Sequence, residues 1–293
     1  MPSILITKAD GEQEPFDLNK LRESLTRAGV PEEHVDSVVR HVLNEVHDGM
    51  STSAIYSHAF SYLHKSFEAP IAARYSVKRA VFDLGPSGYP FEQFVAAILR
   101  MQGYSARTGL ALTGKCAPHE VDVLAELKGH KVGIEVKFHN TPGVKTDLKD
   151  ALYVHARFED LKAAPDEASR VDEGWLVTNT RFTRNAIRYG RCAGLTMVGW
   201  DYPRGHGILG LIEETGIHPI TCLTTLNQSE KRHFLDQNIV LCKAIRDDHA
   251  LLGGIGITGQ HAKDVLAEAN QLCSPMRAPR SASFDSPAPV PHH

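Results

Sequence analysis

The chain has 293 residues, a length that predicts two or three domains. Hydrophobic residues make up 42% of it and charged residues 23%, as in ordinary soluble globular proteins. The net charge of −3 excludes a globally basic nucleic-acid-binding protein, so any surface for nucleic acid must be a local patch.

The cellular location of the protein is predicted from the targeting and membrane signals that the sequence does not contain. It has no apolar run of about 18 residues, the minimum for a membrane span, and its first residues do not have the pattern of a secretory signal. The 5 cysteines are odd in number and none are spaced as CxxC, so neither a disulfide framework nor a zinc ribbon is indicated. We therefore predict a cytoplasmic protein with free thiols and no membrane partner.

The N-terminal segment begins with a short strand, SILITK, and a turn, ADGE. A helix is predicted next because apolar residues recur at steps of three and four after Phe16, with Asp17 as N-cap and Gly29 as stop. The same periodicity predicts three further helices, in PEEHVDSVVRHVLNEVHDG, STSAIYSHAFSYLHKSF and APIAARYSVKRAVFDL.

Residues 3–83 resemble the ATP-cone, a small nucleotide-binding regulatory domain. The resemblance lies in the strand SILIT, in Lys8-Ala9-Asp10-Gly11, in Phe16-Asp17 and in Lys20-Leu21, with Ala9 where the family has arginine. It implies that ATP or dATP binds as a regulatory ligand, with Lys8 and Lys20 as cations for triphosphate oxygens. The alternative is a four-helix module that binds DNA or protein. The chain contains no Walker A motif, so a nucleotide-driven motor is not indicated.

A second domain begins after the turn GPSGYP. FEQFVAAILRMQGYSA is predicted as an amphipathic helix closed by Gly103, and a loop and a β-hairpin follow. Then come a charged helix at about 145–162, the strand WLVTN, the helix TRNAIRYGRCAG and the strand TMVGWD. This order predicts an α/β domain with a mixed, partly parallel sheet that ends near residue 216.

The hairpin HEVDVLAELKGHKVGIEVKFHN carries acids on both strands. A two-residue turn at Lys128-Gly129, with glycine supplying positive φ, would place Asp122 opposite Glu135 and Glu120 opposite Lys137. A three-residue loop without a bulge would put Asp122 on the other face. The pattern therefore favours a register that brings two carboxylates and an ammonium group together.

Two neighbouring carboxylates repel each other unless a cation joins them. Mg²⁺ prefers oxygen ligands and retains water, so it would fit such a pair and polarise a water beside a scissile phosphate. A nearby lysine would position or deprotonate that water and neutralise the oxyanion. Cross-strand salt bridging on a solvated face is the alternative, and the residue spacing leaves both open.

The pattern Asp122, Glu135, Val136, Lys137 resembles the PD-(D/E)xK nuclease motif. With the preceding helix and the later TNTRFT turn, residues 86–205 resemble the Mrr-type catalytic domain of restriction endonucleases. The resemblance implies a Mg²⁺-dependent DNA endonuclease. Asp122 and Glu135 would be metal ligands, Val136 would add its carbonyl, and Lys137 would be the catalytic lysine. Glu92 matches the family's helix carboxylate, although an exposed helix charge is an equal reading.

The helix after TNTRFT is strongly basic. Arg184, Arg188 and Arg191 share one face at steps of four and three. Contact with the DNA backbone is one reading, and an ordinary solvated face is the other. Backbone N–H groups at the start of this helix could hold a phosphate, but N-capping by Thr183 is favoured.

The C-terminal part, 217–273, is predicted to be helical with short turns. The glycines in LLGGIGITGQ precede an amphipathic helix and loosely resemble a helix-hairpin-helix that holds DNA phosphates. An interaction or dimerisation module is the alternative. The final segment, 274–293, is rich in Pro and Ser and is predicted to be disordered.

Together these readings predict a multi-domain protein: a small, mainly helical ATP-cone-like domain (1–85), an α/β restriction-endonuclease-like domain with a mixed sheet (86–216), the C-terminal helical module and the tail. The predicted function is cleavage of DNA phosphodiesters, regulated by nucleotide. Analogy with nucleases that break both strands favours a homodimer. The competing predictions are a non-catalytic, nucleotide-responsive DNA-binding regulator, and a nuclease that acts in repair or on RNA.

Overall fold

The computed structural model describes residues 4–273. Contacts divide them into two compact units, each made of separate stretches of chain. The first unit contains residues 4–84, 141–143 and 218–273, and the second contains 85–140 and 144–217. The tail predicted to be disordered, 274–293, lies outside the described residues. Every helix within 4–273 is too short or too polar to cross a membrane.

The first unit begins with a small antiparallel hairpin followed by helices. Its N-terminal elements are β1 (Leu5–Thr7), β2 (Gln13–Pro15), α1 (Leu18–Ala28), α2 (Glu32–Glu45), α3 (Thr52–Ser66), α4 (Ala69–Tyr75) and α5 (Val77–Phe82). Asp17 caps α1 by accepting the N–H of Asn19, and Gly29 ends the helix at φ 87°. Both predicted boundaries of this helix are confirmed.

The prediction of a single fourth helix was wrong, because this segment forms two helices, α4 and α5. The break falls at Ser76, whose backbone (φ −87°, ψ 1°) leaves the α-helical region. The buried Ser76 hydroxyl donates to the carbonyl of Ala73 at 2.9 Å. Serine hydroxyls that bond back to a preceding turn compete with the helix ladder and bend helices, which accounts for the break.

The second unit is an α/β domain around a five-stranded sheet. Its elements are α6 (Tyr89–Met101), β3 (Ser105–Thr113), β4 (Pro118–Leu127), β5 (His130–Lys137), β6 (Lys145–Thr146), α7 (Leu148–Lys162), β7 (Glu173–Thr178), β8 (Arg181–Phe182), α8 (Arg184–Ala193), β9 (Thr196–Val198) and α9 (Ile208–Thr215). The strand order is β3-β4-β5-β7-β9, with β6 and β8 as a separate pair. Strands β3, β4 and β5 are antiparallel and β5, β7 and β9 are parallel, as the predicted mixed sheet requires.

Strand β3 was predicted as a loop, and this was wrong. SARTGLALT pairs with β4 from Ser105↔Glu126 to Thr113↔Pro118 and forms an edge of the sheet. Its alternate residues are only partly covered, and small or polar side chains fill most of its positions. An edge strand of this kind has little apolar alternation, so its sequence does not show the period-2 signal.

Helix α7 packs tightly on the sheet over a pair of glycines. Gly133 of β5 lies beside Gly174 of β7 in the parallel ladder. The ring of the buried Phe158 covers both, and neither position has room for a β-carbon. The absence of side chains here lets α7 approach the backbone closely and fixes its position over β5.

Asp160, near the end of α7, holds the turn between β3 and β4. Its carboxylate accepts the N–H groups of Cys116 and Ala117 at 2.8 and 3.2 Å, and it lies 2.8 Å from Nε2 of His119. The hydrogen bond from His119 is the main reason that the pKa of Asp160 falls to about 2.

This depressed pKa gives a pH prediction. An acid with a lowered pKa stabilises the fold above its unfolded pKa, near 3.8, and the contribution is lost as pH falls toward 2. We expect Asp160→Asn to be less stable than wild type at pH 5, with the difference shrinking between pH 4 and pH 2. Urea denaturation across this range measures it. A difference independent of pH would contradict the ionic role of Asp160.

The C-terminal helices lie in the first unit. After a 3-10 turn at Ile220–Cys222 they are α10 (Gln228–Asp236), α11 (Cys242–Asp247), α12 (Ala250–Gly254) and α13 (Gly259–Leu272). Arg74 of α4 donates to the carbonyl of Gln271 at 2.8 Å, and the Thr221 hydroxyl donates to the carbonyl of Ala80 at 2.6 Å. The two segments that the sequence analysis treated as separate domains therefore share one compact unit.

Candidate functional site

The acidic hairpin has the predicted two-residue turn. Lys128 and Gly129 have φ 52° and 81°, the left-handed values of a tight type I′ turn. The ladder runs from Leu127↔His130 to Val123↔Ile134. Extended by one more pair, this register sets Asp122 opposite Glu135. The predicted turn and the predicted register of the ladder are confirmed.

The ladder stops where the acids begin. Instead of continuing the ladder, the backbone N–H of Val136 donates to Oδ2 of Asp122 at 2.7 Å. The side chain of Asp122 thus takes the place of a backbone acceptor and is held beside Glu135. A hairpin end that is closed by a carboxylate in this way leaves its other oxygen available.

Glu135 is the most enclosed residue of the group, with 5% of its surface exposed. Its Oε1 lies 2.8 Å from Nζ of Lys137, and Arg157 of α7 contacts its Oε2 through Nη1. Burial on its own would lower the pKa of Lys137, but the hydrogen bond and charge of Glu135 raise it above the usual value. A buried carboxylate between two cations differs from the solvated face that was the alternative reading of the hairpin.

Arg157 is a site residue that the sequence analysis missed. Its side chain is 12% exposed, and besides Glu135 it contacts the carbonyl of Glu120 at 2.9 Å and the hydroxyl of Tyr153 at 2.7 Å. Its guanidinium also lies 4.8 Å from the centre of the Tyr153 ring. In the sequence, Arg157 is visible only as a basic residue directly before Phe158 in the charged helix. Which way its side chain points depends on how that helix packs on the sheet.

Glu92 of α6 belongs to the same electrostatic group. Burial, and then the negative charges of Asp122, Glu120 and Glu135, raise the pKa of Glu92 to about 7. Burial, and then the charge of Glu135, raise the pKa of Asp122 to about 6, although the N–H of Val136 opposes this. The fold therefore brings carboxylates from one helix and two strands close enough to repel each other.

The donor chemistry of this group fits a hard divalent cation. Carboxylates that raise each other's pKa are stabilised by a metal ion, and Mg²⁺ commonly uses one or two of them together with water and substrate phosphate. Across residues 4–273, no group of three His, Cys, Asp or Glu side chains is arranged to hold a metal. The carboxylates of this group therefore form a candidate site that water and phosphate oxygens would have to complete.

Buried polar residues fix the chain just beyond Lys137. His139 and Asn179 exchange two hydrogen bonds, with the N–H of His139 donating to Oδ1 at 2.8 Å and Nδ2 donating to the carbonyl at 2.9 Å. Thr146 contacts Nε2 of His139 at 2.9 Å and donates to Thr178 at 3.1 Å. The TNT sequence thus anchors the end of β5, and Thr183 caps α8 through the N–H of Ala186, as favoured.

The predicted DNA-contacting arginines lie on α8. Arg184, Arg188 and Arg191 are all exposed. Nε of Arg191 donates to the Tyr202 hydroxyl at 3.0 Å, which holds it against that ring. The structure keeps them on one basic helix within the same unit as the acidic group.

The predicted nucleotide-binding lysines lie in the first unit and converge on one acid. Nζ of Lys8 is 2.8 Å and Nζ of Lys20 is 3.4 Å from the Glu14 carboxylate. The hydrogen bond from Lys8 is the main cause that lowers the pKa of Glu14. An open pocket of about 560 Å³ is lined by residues 14–20. Any triphosphate that binds these lysines must therefore compete with Glu14.

Comparison with known proteins assigns each part of the chain. An ATP cone domain model matches residues 4–81, a restriction endonuclease model matches 86–201, and an AF1548-like C-terminal model matches 218–273. An uncharacterized protein of Archaeoglobus fulgidus is 35% identical over 179 residues, which cover 61% of this chain and 99% of the relative. The chain belongs to the AF1548-like family.

A solved member of the AF1548-like family supports the same assignment. The crystal structure of the protein of unknown function AF1548 has 34% sequence identity and a TM-score of 0.53, covering 64% of this chain and 98% of that one. The restriction endonuclease MspJI, in complex with a 27-mer oligonucleotide, has 14% identity and a TM-score of 0.34, with 67% of this chain and 39% of that chain covered. That similarity is too low to assign a function.

The predicted resemblances to an ATP-cone and to an Mrr-type nuclease domain are confirmed by these models. In this AF1548-like chain, the acidic group lies inside the restriction-endonuclease match and the Lys8–Glu14–Lys20 cluster lies inside the ATP-cone match. Each candidate site thus falls in the domain whose chemistry it would serve.

Proposed function

We propose that this protein is a metal-dependent DNA endonuclease of the Mrr-like restriction type, regulated by ATP or dATP. The observation that carries the proposal is the convergence of Asp122, Glu135 and Lys137 at one end of the hairpin, with Glu135 buried between cations. A protein that only bound DNA would gain nothing from carboxylates directed at a phosphate backbone.

The residues divide the work of phosphodiester hydrolysis. Asp122, Glu135 and the carbonyl of Val136 would hold Mg²⁺, which when bound polarises water and neutralises phosphate charge. Lys137 keeps its proton at neutral pH, as an ordinary lysine does, so its Nζ would donate to the charge that develops on phosphate. Glu92 would accept a proton from the attacking water, because it lies next to the two proposed metal ligands in the electrostatic group and burial raises its pKa above the usual value of a glutamate.

DNA contact is proposed for the basic face of α8. Exposed arginines at steps of four and three suit successive phosphates, because guanidinium groups bind phosphate oxygens through paired hydrogen bonds. Arg184, Arg188 and Arg191 would position the duplex without reading its sequence. A homodimer would supply the second active site that a double-strand break requires.

The direct test is cleavage of supercoiled plasmid by the full chain, with Mg²⁺ or with EDTA, on methylated and unmethylated DNA and on RNA. We expect nicked or linear DNA only when metal is present. DNA binding without cleavage under all of these conditions would refute the nuclease and favour a non-catalytic, nucleotide-responsive regulator. Cleavage of RNA but not of DNA would show that the substrate is RNA.

Regulation by nucleotide gives a separate prediction at Glu14. Glu14→Gln removes the acid that pairs with both Lys8 and Lys20 and leaves the 3.5 Å contact between Lys8 and Glu12. We therefore expect ATP and dATP to bind about two- to five-fold more tightly, about the worth of exposed ion pairs. Isothermal titration calorimetry on the full chain measures this. Glu23→Gln, an exposed position on α1, is the matched control. Unchanged or weaker binding in Glu14→Gln would exclude these lysines as the phosphate site.

A further inference from the structure

Both oxygens of Glu135 are already engaged. Lys137 lies at Oε1, and Arg157 lies at Oε2. Each oxygen keeps a second lone pair, but a metal ion that approached it would meet a cation already bonded to the same carboxylate. Both cations therefore oppose metal binding to Glu135, and the release of one of them would favour it.

Of the two cations, Arg157 is the one whose position allows it to release Glu135. Lys137 is on the same strand as Glu135, two residues away, whereas Arg157 reaches it from α7. Arg157 has other contacts that survive the loss of Glu135: the carbonyl of Glu120, the Tyr153 hydroxyl and the Tyr153 ring. These contacts would keep the guanidinium at the site after it releases the carboxylate.

The guanidinium of Arg157 also has one N–H donor without an acceptor. Its Nε is buried and has no hydrogen-bond partner among the described residues. A buried donor without an acceptor is costly, and a phosphate oxygen is the acceptor that a guanidinium fork fits best. Tyr153, which is 56% exposed, contacts the guanidinium of Arg157 through its hydroxyl and its ring.

We propose that Arg157 is a mobile cation that neutralises Glu135 before metal binds and contacts the scissile phosphate afterwards. The inference rests on the proposed nuclease function. The exchange makes and breaks no covalent bond: the guanidinium leaves Oε2 of Glu135, which would then be free to help hold the metal ion, moves to a non-bridging phosphate oxygen and keeps its protons. Arg157 then stabilises the charge that accumulates on the phosphate during attack, as a catalytic residue.

The test uses the full chain with Arg157→Ala and two measurements. Without DNA, calorimetry with Mn²⁺ is expected to show binding about ten-fold tighter than in wild type, because the metal no longer displaces a charged hydrogen bond. With plasmid at saturating Mn²⁺, kcat is expected to fall about 100-fold with little change in KM. Arg170→Ala, an exposed arginine that contacts only a backbone carbonyl, is the matched control and should change neither quantity.

Arg157→Lys keeps the proposal testable if the alanine variant fails to fold. It retains the charge but not the fork, so kcat should fall about ten-fold while Mn²⁺ affinity changes little. Unchanged or weaker Mn²⁺ affinity in a folded Arg157→Ala protein would overturn the exchange. An unchanged kcat in that protein would overturn the phosphate contact while the nuclease function stands. If wild type does not cleave at all, tighter Mn²⁺ binding in Arg157→Ala would still support the exchange, and only the nuclease function would fall.

Discussion

Replacement of Lys137 by methionine is expected to reduce DNA cleavage about 1,000-fold while the protein stays folded. Methionine keeps most of the volume of the side chain and removes the ammonium group. Glu135 keeps its contact with Arg157, so the buried carboxylate is not left without a cation. The loss should appear in kcat rather than in DNA affinity, because Lys137 acts on charge that develops in the transition state.

Asp122→Asn is expected to have an effect of similar size by another route. The amide oxygen still accepts the N–H of Val136, so the end of the hairpin should keep its geometry. What is lost is one of the two negative charges that would hold the metal ion. Mn²⁺ calorimetry should therefore show weaker binding in Asp122→Asn, whereas Lys137→Met, which keeps both carboxylates, should not weaken metal binding.

Matched controls are available on the same two strands. Glu126→Gln changes an exposed acid of β4, and Lys131→Met changes a lysine of β5 whose Nζ contacts only the carbonyl of Glu167. Both should cleave plasmid at the wild-type rate. If Lys137→Met and Asp122→Asn cleave as fast as these controls, the hairpin end is not the catalytic centre.

The second large effect is expected at Glu268, a buried acid of α13. Only 2% of it is exposed, and its two oxygens accept four hydrogen bonds, from the N–H and hydroxyl groups of Thr224 and Thr225, at 2.7–2.9 Å. Glu268→Ala would remove the acceptor of all four donors. We expect the free energy of unfolding of the first unit to fall by about 3 kcal/mol, since removing one partner of a buried charged network leaves the others unpaired.

Amide hydrogen exchange can locate this effect. Protection should fall in α13 and α4, which belong to the first unit, and should stay unchanged in the sheet of the second unit. Asp264→Ala, one turn earlier on α13 and exposed, should leave both unchanged. Equal loss of protection in the two variants would show that Glu268 has no special structural role.

The sequence predicted the hairpin well because its signals are local. The glycine after Lys128 determines the turn type, and the alternation of apolar and polar residues determines the strand register. The placement of Asp122 opposite Glu135 can therefore be predicted from the hairpin sequence alone. The N-cap and stop of α1 were predictable for the same reason. Ser76 was missed because a hydroxyl bond to its own helix competes with a periodicity that continues past it.

Features made by distant residues could not be predicted. Arg157 reaches Glu135 only because Phe158 packs over Gly133 and Gly174, which come from two different strands. Glu268 would be expected at the surface, like most glutamates, and it is buried only because a threonine pair 43 and 44 positions earlier folds back to it. Both depend on tertiary contacts that hydrophobic periodicity does not record.

The split composition of the first unit has a consequence for synthesis on the ribosome. Residues 4–84 emerge first, but their partner helices end at residue 273, after the whole restriction-endonuclease-like domain. At about 5–20 residues per second, the interval is on the order of 10–40 s. The second unit, whose chain is complete at residue 217, is available to fold before the first. In a nascent chain, the restriction-endonuclease-like unit is thus complete before the helices that finish the unit containing the ATP cone have been made.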